Sequence, residues 1–386
     1  MTLRPYGCRE DPAPPLGPLA PDLTRATTFA YTTAEELRAV GMGEIPGEFY
    51  PRYGHPLGRL FESKVAGLEE ADGAVAFSSG LAAIHAVFCG LLAAGDAIAV
   101  SRQVYGGVEA MVSEDLPRFG IEVLRFDPFV DGSLERALKE NVKLVHVETP
   151  TNPLCRVVKL KSIAEAARKR GALVCVDATF LPPPFQRPLR HGADLVVHSA
   201  TKILGGHSDA QAGVVSSRHE LLARLESFRR RTGAILAPDT AWLLVRSLAT
   251  LDLRTRRAAD NAARLARFLA GVRDRVEKVH YAGLPEHPDH DVARECMGTF
   301  GCMLSFEVRG GLPQAVRVYD RLRLIARAVS LGGVETLASI PLHTSHAMLS
   351  AEERASAGIV DGLIRLSVGI EPYEALESDL AVALAA

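Results

Sequence analysis

Between residues 61 and 215, seven short apolar runs alternate with helix-forming stretches, and this alternation narrows the possible folds more than any other feature of the chain. The runs cover residues 74–77, 97–100, 122–126, 143–147, 173–176, 195–198 and 213–215. Stretches 81–93, 134–140 and 163–170 lie between several of them and carry helical patterning. Apolar runs of four to six residues separated by helices predict βα units and a mainly parallel sheet covered on both faces. Ligands bind such sheets at the carboxyl ends of the strands. The residues directly after each run are therefore the first place to look for chemistry.

The flanks read differently. Residues 1–58 are expected to form an extended arm, because Pro12, Pro14, Pro15, Pro18, Pro21, Gly41, Gly43 and Gly47 disfavour regular structure, with one short helix near 34–40. An arm with so little core of its own must pack on its own domain or on a neighbouring subunit. Residues 59–250 are read as a cofactor-binding domain and 251–386 as a smaller C-terminal α/β domain, with strands near 303–308 and 363–368. From 218 to 275 the chain is helical and rich in arginine. One long helix is expected from a cap at Asp239-Thr240 through Trp242 and Leu253 towards Leu269, with its arginines on a solvated face.

Composition excludes several classes. A chain of 386 residues buries a large core without disulfide or zinc staples, and no metal site is expected. A net charge of −2 lacks the basic field of a nucleic-acid binder. None of the six cysteines forms a C-x-x-C pair, and several sit in apolar runs, so they are expected to be small buried hydrophobes. No apolar run approaches the roughly 18–20 residues of a membrane span, and the proline-rich start lacks the apolar segment of a signal peptide. The expected location is cytoplasmic.

The strand ends carry the chemistry. Run 74–77 is followed by Ser78-Ser79-Gly80-Leu81 and a helix, a turn that points backbone N–H groups and a helix dipole at one spot, where anions bind. Run 173–176 is followed by Asp177, a carboxylate that burial would penalise unless it is paired or functional. Run 195–198 is followed by Ser199-Ala200-Thr201-Lys202 and then Gly205-Gly206. The chain has only eight lysines against 36 arginines, and Lys202 alone has this setting. Desolvation and neighbouring groups can lower a lysine pKa enough for Schiff-base chemistry. A nucleophilic lysine, a buried aspartate one strand away and an anion cradle completed by Ser199 and Thr201 are the parts that pyridoxal 5′-phosphate requires.

The same residues fall within a longer ordered set. It comprises Tyr50-Pro51-Arg52-Tyr53-Gly54-His55-Pro56, Phe77-Ser78-Ser79-Gly80, Tyr105-Gly106-Gly107, Glu148-Thr149-Pro150-Thr151-Asn152-Pro153, Val176-Asp177-Ala178-Thr179-Phe180, His198-Ser199-Ala200-Thr201-Lys202, Ser330-Leu331-Gly332-Gly333-Val334-Glu335 and Arg365-Leu366-Ser367-Val368-Gly369-Ile370-Glu371. In this order the chain resembles, over nearly its whole length, the trans-sulfuration enzymes of cysteine and methionine metabolism, pyridoxal-phosphate enzymes of fold type I. The resemblance implies an α/β fold with a mainly parallel central sheet flanked by helices, and a smaller C-terminal α/β domain. It implies that Lys202 carries the cofactor and moves protons from Cα, that Asp177 pairs with the pyridine nitrogen, and that Tyr105 stacks on the ring and assists proton transfer. Gly80, Leu81, Ser199 and Thr201 would hold the phosphate, completed by Tyr50 and Arg52 from a neighbouring subunit. Arg365 would clamp the substrate α-carboxylate, supported by Asn152 and Ser330.

The implied function is γ-elimination or γ-replacement on a homoserine-derived amino acid, as in cystathionine γ-lyase and γ-synthase. Methionine γ-lyase and O-acyl-homoserine sulfhydrylase activities are alternatives, and a non-catalytic pyridoxal-phosphate-binding regulatory subunit is an alternative of another class. The implied assembly is a homotetramer built from active-site dimers, acting on a small amino acid without nucleic-acid or membrane partners. The chain departs from the family's common pattern at His55 and Ala178, where asparagine is usual, and at Val108. Gly107 stands where methionine γ-lyases carry cysteine, and Val329 where members acting on cystathionine often carry glutamate.

Overall fold

The structure is a computed structural model that describes residues 20–385. Cys8 and the start of the expected arm lie outside the described residues. The alternating runs form strands β1 (Gly73–Phe77), β2 (Ala97–Ser101), β3 (Glu122–Phe126), β4 (Val142–Glu148), β5 (Leu173–Asp177), β6 (Leu195–Ser199) and β7 (Gly213–Ser217). They make one seven-stranded sheet in the order β1-β7-β6-β5-β4-β2-β3. Pairing is parallel from β3 through β6, and β7 runs antiparallel to both β6 and β1. It follows that β1 runs with β6, so the carboxyl ends of β1, β4, β5 and β6 emerge on one edge.

Both faces are covered, as the continuous apolar runs require. The first helices are α1 (Ala34–Gly41), α2 (Pro56–Glu69), α3 (Gly80–Leu91), α4 (Gly106–Ala110), α5 (Ser133–Ala137) and α6 (Leu160–Arg168). On one face α3 packs Val87 and Phe88 against Val100, Val197 and Val215. On the other, α6 packs Ile163 and Ala167 against Val145, Val174 and Val196, while α2 sets Phe61 and Val65 against Ala76 and Val214. Each such side chain contributes roughly 1.5–3 kcal/mol when fully buried.

The arginine-rich region corrects two expectations. It forms α7 (His219–Thr232), α8 (Pro238–Leu248) and α9 (Leu251–Gly271), so the single long helix is two. The break falls at Ala249-Thr250, where Ser247 O accepts from Thr250 N, from Thr250 Oγ1 and from Arg254 Nη2 at 3.2, 3.3 and 3.0 Å, closing α8 instead of continuing it. The helix start is Ala237 followed by Pro238, and Asp239 lies in the first turn, paired with Arg25 of the arm. Nor do all the arginines face solvent. Arg229 is buried and donates to Glu62 and to Ala76 O at 2.7 Å each. Arg254, also buried, donates to Ile203 O (3.1 Å) and Thr250 Oγ1 (3.1 Å) as well as to Ser247 O.

The remaining strands, β8 (Val276–His280), β9 (Met303–Val308), β10 (Ala326–Arg327), β11 (Leu337–Ser339) and β12 (Leu363–Ser367), form a second sheet in the order β10-β11-β12-β9-β8. Helices α10 (His290–Cys296), α11 (Gly311–Arg321), α12 (Ala351–Ser356) and α13 (Tyr373–Leu384) follow in the same stretch. Leu265 and Leu269 of α9, Val318 of α11 and Leu376 of α13 close a core over Leu304, Phe306 and Ile364. The described arm touches α8 near its start, where Trp242 Nε1 donates to Pro21 O at 3.0 Å. Cys155, Cys175 and Cys302 are buried free thiols, while Cys89 and Cys296 are half-buried. Among the described residues, no helix is long and apolar enough to cross a membrane.

Arg254 supports the carbonyl of Ile203, the residue after Lys202. Arg254→Met keeps the apolar stem but leaves buried acceptors unpaired, at a cost of about 1–3 kcal/mol for each such group. The variant is expected to lose about 2–4 kcal/mol of stability in a denaturant titration.

Candidate active site

The predicted residues gather at the carboxyl edge of the first sheet. The turn after β1 leads into α3, with Ser79 as cap: its hydroxyl accepts from Ala82 N at 3.1 Å and its carbonyl from Ala83 N at 3.1 Å. The N–H groups of Gly80 and Leu81 remain for another acceptor, as the first amides of a helix do. Glycine is required at position 80 by a close approach. A Cβ there would stand 2.8 Å from Ser199 Cβ and 3.0 Å from Ser199 Oγ. Ser199, at the end of β6, therefore faces the start of α3. Thr201 Oγ1 is anchored to the backbone of Ala212, accepting from its N–H at 3.0 Å and facing its carbonyl at 3.2 Å.

Asp177 ends β5 and is buried. Thr179 fixes its Oδ1 through both the amide (2.9 Å) and the hydroxyl (2.5 Å). Burial raises its pKa against the lowering effect of these two bonds and of His198. A cationic partner would reverse that penalty. Lys202 follows β6 and donates from Nζ to Ser330 Oγ at 2.8 Å. Burial lowers its pKa, and the charge of Arg365 adds to the effect.

Arg365, in the middle of β12, brings the second sheet to this edge. Its Nη1 donates to Asn152 Oδ1 at 3.0 Å and its Nη2 to Ser330 O at 2.9 Å. Its Nε is buried with no hydrogen-bond partner among the described residues. That orphaned donor, beside the half-buried amine of Lys202, fits the carboxylate of an amino acid. His346 also belongs here. Burial, with a contribution from Arg365, pushes its pKa down to about 4.

Tyr105 caps α4 with its ring half exposed. A Cβ on Gly107 would stand 2.8 Å from both Tyr105 Cε1 and Leu81 Cδ1, so the tyrosine ring and Leu81 both crowd this glycine. Tyr50 and Arg52 are not brought to these residues within one chain. Arg52 lies over the rings of Tyr50 and Tyr53, 5.1 and 5.7 Å from their centroids, and donates to Arg230 O at 3.1 Å. His55, the first departure from the usual pattern, is buried and caps α2. Its Nδ1 accepts from Gly58 N at 3.1 Å and its Nε2 meets Leu236 O at 2.9 Å.

Glu148 opens the motif at 148–153, where the resemblance assigns it no role. It ends β4 beside Asp177, with which it is paired in register. It accepts from Tyr105 N at 2.8 Å and from Asn152 N at 3.1 Å. Thr179, the partner of Asp177, was missed likewise. A β-strand ending in Glu next to one ending in Asp was the available signal.

The residues present fit pyridoxal 5′-phosphate: an amine with a lowered pKa, a buried carboxylate tied on one oxygen, and a glycine-lined cradle of amides and hydroxyls. Comparison with known proteins agrees. The family model of the Cys/Met metabolism PLP-dependent enzymes (PLP is pyridoxal 5′-phosphate) matches residues 8–385. The chain is 41% identical over 365 residues to an O-succinylhomoserine sulfhydrylase of Pseudomonas aeruginosa, covering 94% of this chain and 90% of that one. It is 40% identical over 378 residues to an L-methionine gamma-lyase of Pseudomonas putida, covering 97% and 95%. The crystal structure of cystathionine gamma synthase from Xanthomonas oryzae pv. oryzae in complex with aminoacrylate and cysteine superposes with a TM-score of 0.90 at 39% identity, covering 95% and 93%. With its anion cradle, its buried Asp177 and its tethered Lys202 on one edge of a mainly parallel sheet, the chain belongs to the Cys/Met metabolism PLP-dependent enzyme family.

Proposed function

We propose that this enzyme catalyses γ-elimination or γ-replacement on a homoserine-derived amino acid, with Lys202 as the proton-transferring amine. The observation that carries the reading is one chain of contacts: Lys202 Nζ on Ser330 Oγ, and Arg365 on both Ser330 O and Asn152 Oδ1, with Arg365 Nε left over. This arrangement takes an α-amino acid by its carboxylate and sets its α-carbon near an amine.

The cofactor, when bound, supplies the electron sink that makes an α-proton removable. Gly80 and Leu81 amides with the Ser199 and Thr201 hydroxyls would hold its phosphate, and Asp177, oriented by Thr179, would pair with its ring nitrogen. Arg365 and Asn152 hold the substrate carboxylate. Lys202 acts as free base, which burial favours, and takes the proton from Cα while Ser330 orients the amine. Lys202, once it has returned that proton to the conjugated system, would take a second one from Cβ, and the γ-substituent would then leave with its bonding electron pair. Tyr105 would stack on the ring and assist proton transfer.

Tyr50 and Arg52 serve the phosphate of a neighbouring copy in an active-site dimer. Their surroundings support this: both are exposed, and Arg52 lies over the Tyr50 and Tyr53 rings and donates to Arg230 O. Buried free thiols at Cys155, Cys175 and Cys302 support a reducing, cytoplasmic setting.

Three experiments test the reading. Incubation with cystathionine, O-acetylhomoserine, O-succinylhomoserine and methionine, with and without cysteine, is expected to yield a 2-oxo acid and ammonia or a new thioether. A yellow, cofactor-loaded protein that converts none of them would count against it. Lys202→Ala and Arg52→Ala are each expected to be inactive and to recover activity together under subunit exchange. Arg365→Gln removes a positive charge near Lys202, so the lysine pKa rises. The pH midpoint for the appearance of the bound-cofactor absorbance in apoprotein should therefore move upward, whereas a fixed or falling midpoint would exclude that coupling.

A further inference from the structure

Glu148 ties together two parts of the site. Its Oε2 takes the amide of Tyr105, which lies 43 residues earlier after β2, and its Oε1 takes the amide of Asn152 in the turn after its own strand. The ring on Tyr105 borders the cofactor cradle through Gly107 and Leu81. The side chain of Asn152 accepts from Arg365, on the substrate side. One carboxylate therefore spans from the cofactor side of the site to the substrate side, with one oxygen assigned to each.

A purely structural turn would not need an acid here. Glu148 is buried beside Asp177, and both burial and that neighbouring carboxylate raise its pKa, against the two amide donors and the charge of Arg365. A neutral residue would avoid this penalty. What the carboxylate adds is two acceptor oxygens at fixed separation, each able to take an N–H donor.

We propose that Glu148 is a positioning residue that sets the distance between the tyrosine over the cofactor and the Asn152–Arg365 pair that holds the substrate carboxylate. The proposal rests on the pyridoxal-phosphate reading of the site. Displacements near 1 Å at reacting groups cost on the order of 100-fold in rate, so loss of the tether should appear in catalysis before it appears in folding.

The test uses Glu148→Gln, which keeps the shape but presents one N–H₂ group to one of the two amide donors. The full-length holoenzyme is measured for bound-cofactor absorbance, KM, kcat and the spectral titration by L-alanine, which has no γ-substituent to expel. The expected result is cofactor loading equal to wild type, KM and the L-alanine midpoint raised at least fivefold, and kcat/KM lowered about 10- to 100-fold. Turnover and L-alanine binding within twofold of wild type would overturn the proposal. So would a variant that folds but loads no cofactor, because Glu148 would then act on cofactor retention. If Glu148→Gln does not fold, Glu148→Asp decides: it keeps the charge but is one methylene short of reaching both amides, and the same KM rise is expected, with values within twofold again overturning it. Failure of the underlying reading is distinguishable, since the wild-type protein would then stay colourless with added pyridoxal 5′-phosphate.

Discussion

A guanidinium buried at the meeting of two sheets sets the geometry of this site. Arg365 is 6% exposed and sits in β12 with strand partners on both sides, Ser339 and Ser305. Taking such an ion out of water costs several kcal/mol before compensation. Compensation comes from Asn152 Oδ1 and Ser330 O, and from Glu148 nearby. Each compensating group is also a functional candidate. Asn152 is fixed by Arg365 at its side chain and by Glu148 at its amide. Ser330 gives its carbonyl to Arg365 and its hydroxyl to Lys202. The same charge that organises these groups lowers the pKa of Lys202. Moving Arg365 would thus disturb substrate recognition, lysine orientation and lysine protonation together.

The backbone around Ser330 reflects the same demand. Ser330 has φ 84°, in the left-handed region that serine rarely adopts, at a cost of about 1–3 kcal/mol. The two hydrogen bonds to Lys202 and Arg365 hold it there. Two residues on, Gly332 has φ 80°, and a Cβ on it would stand 2.6 Å from Ile203 Cγ1. The segment therefore lies directly against the backbone that carries Lys202, and Gly332 N is held by Ser367 Oγ at 2.7 Å. Arg254 braces Ile203 as well, through its carbonyl. The lysine loop is clamped from the second sheet and from α9.

How much of this the sequence disclosed follows from the range of the forces involved. The strands of the first sheet were legible because a doubly covered parallel sheet leaves continuous apolar runs. Lys202, Asp177 and the Gly80 turn were legible because each directly follows a strand. The two buried arginines were not, because a helix-face pattern cannot show that Arg254 reaches a carbonyl 51 residues earlier in the chain. The break at Ala249-Thr250 was hidden for the same reason, since the same arginine caps the preceding helix. Glu148 stood in a quoted motif, but its partner Tyr105 is placed by a different strand, and only the sheet brings the two together.

The comparisons join enzymes with different outcomes, a sulfhydrylase, a gamma-lyase and a gamma synthase, at 39–41% identity. Elimination and replacement share the removal of the α-proton and the loss of the γ-substituent. The groups suited to those steps, Lys202, Asp177, Asn152 and Arg365, are buried or half-buried here. Val329 and Gly107, the two positions that the resemblance ties to the γ-substituent, differ in exposure. Val329 is 65% exposed and offers no charge to a distal ammonium. Gly107 has no room for a side chain while Leu81 and Tyr105 keep their places. Neither residue presents a charged group to the γ-substituent.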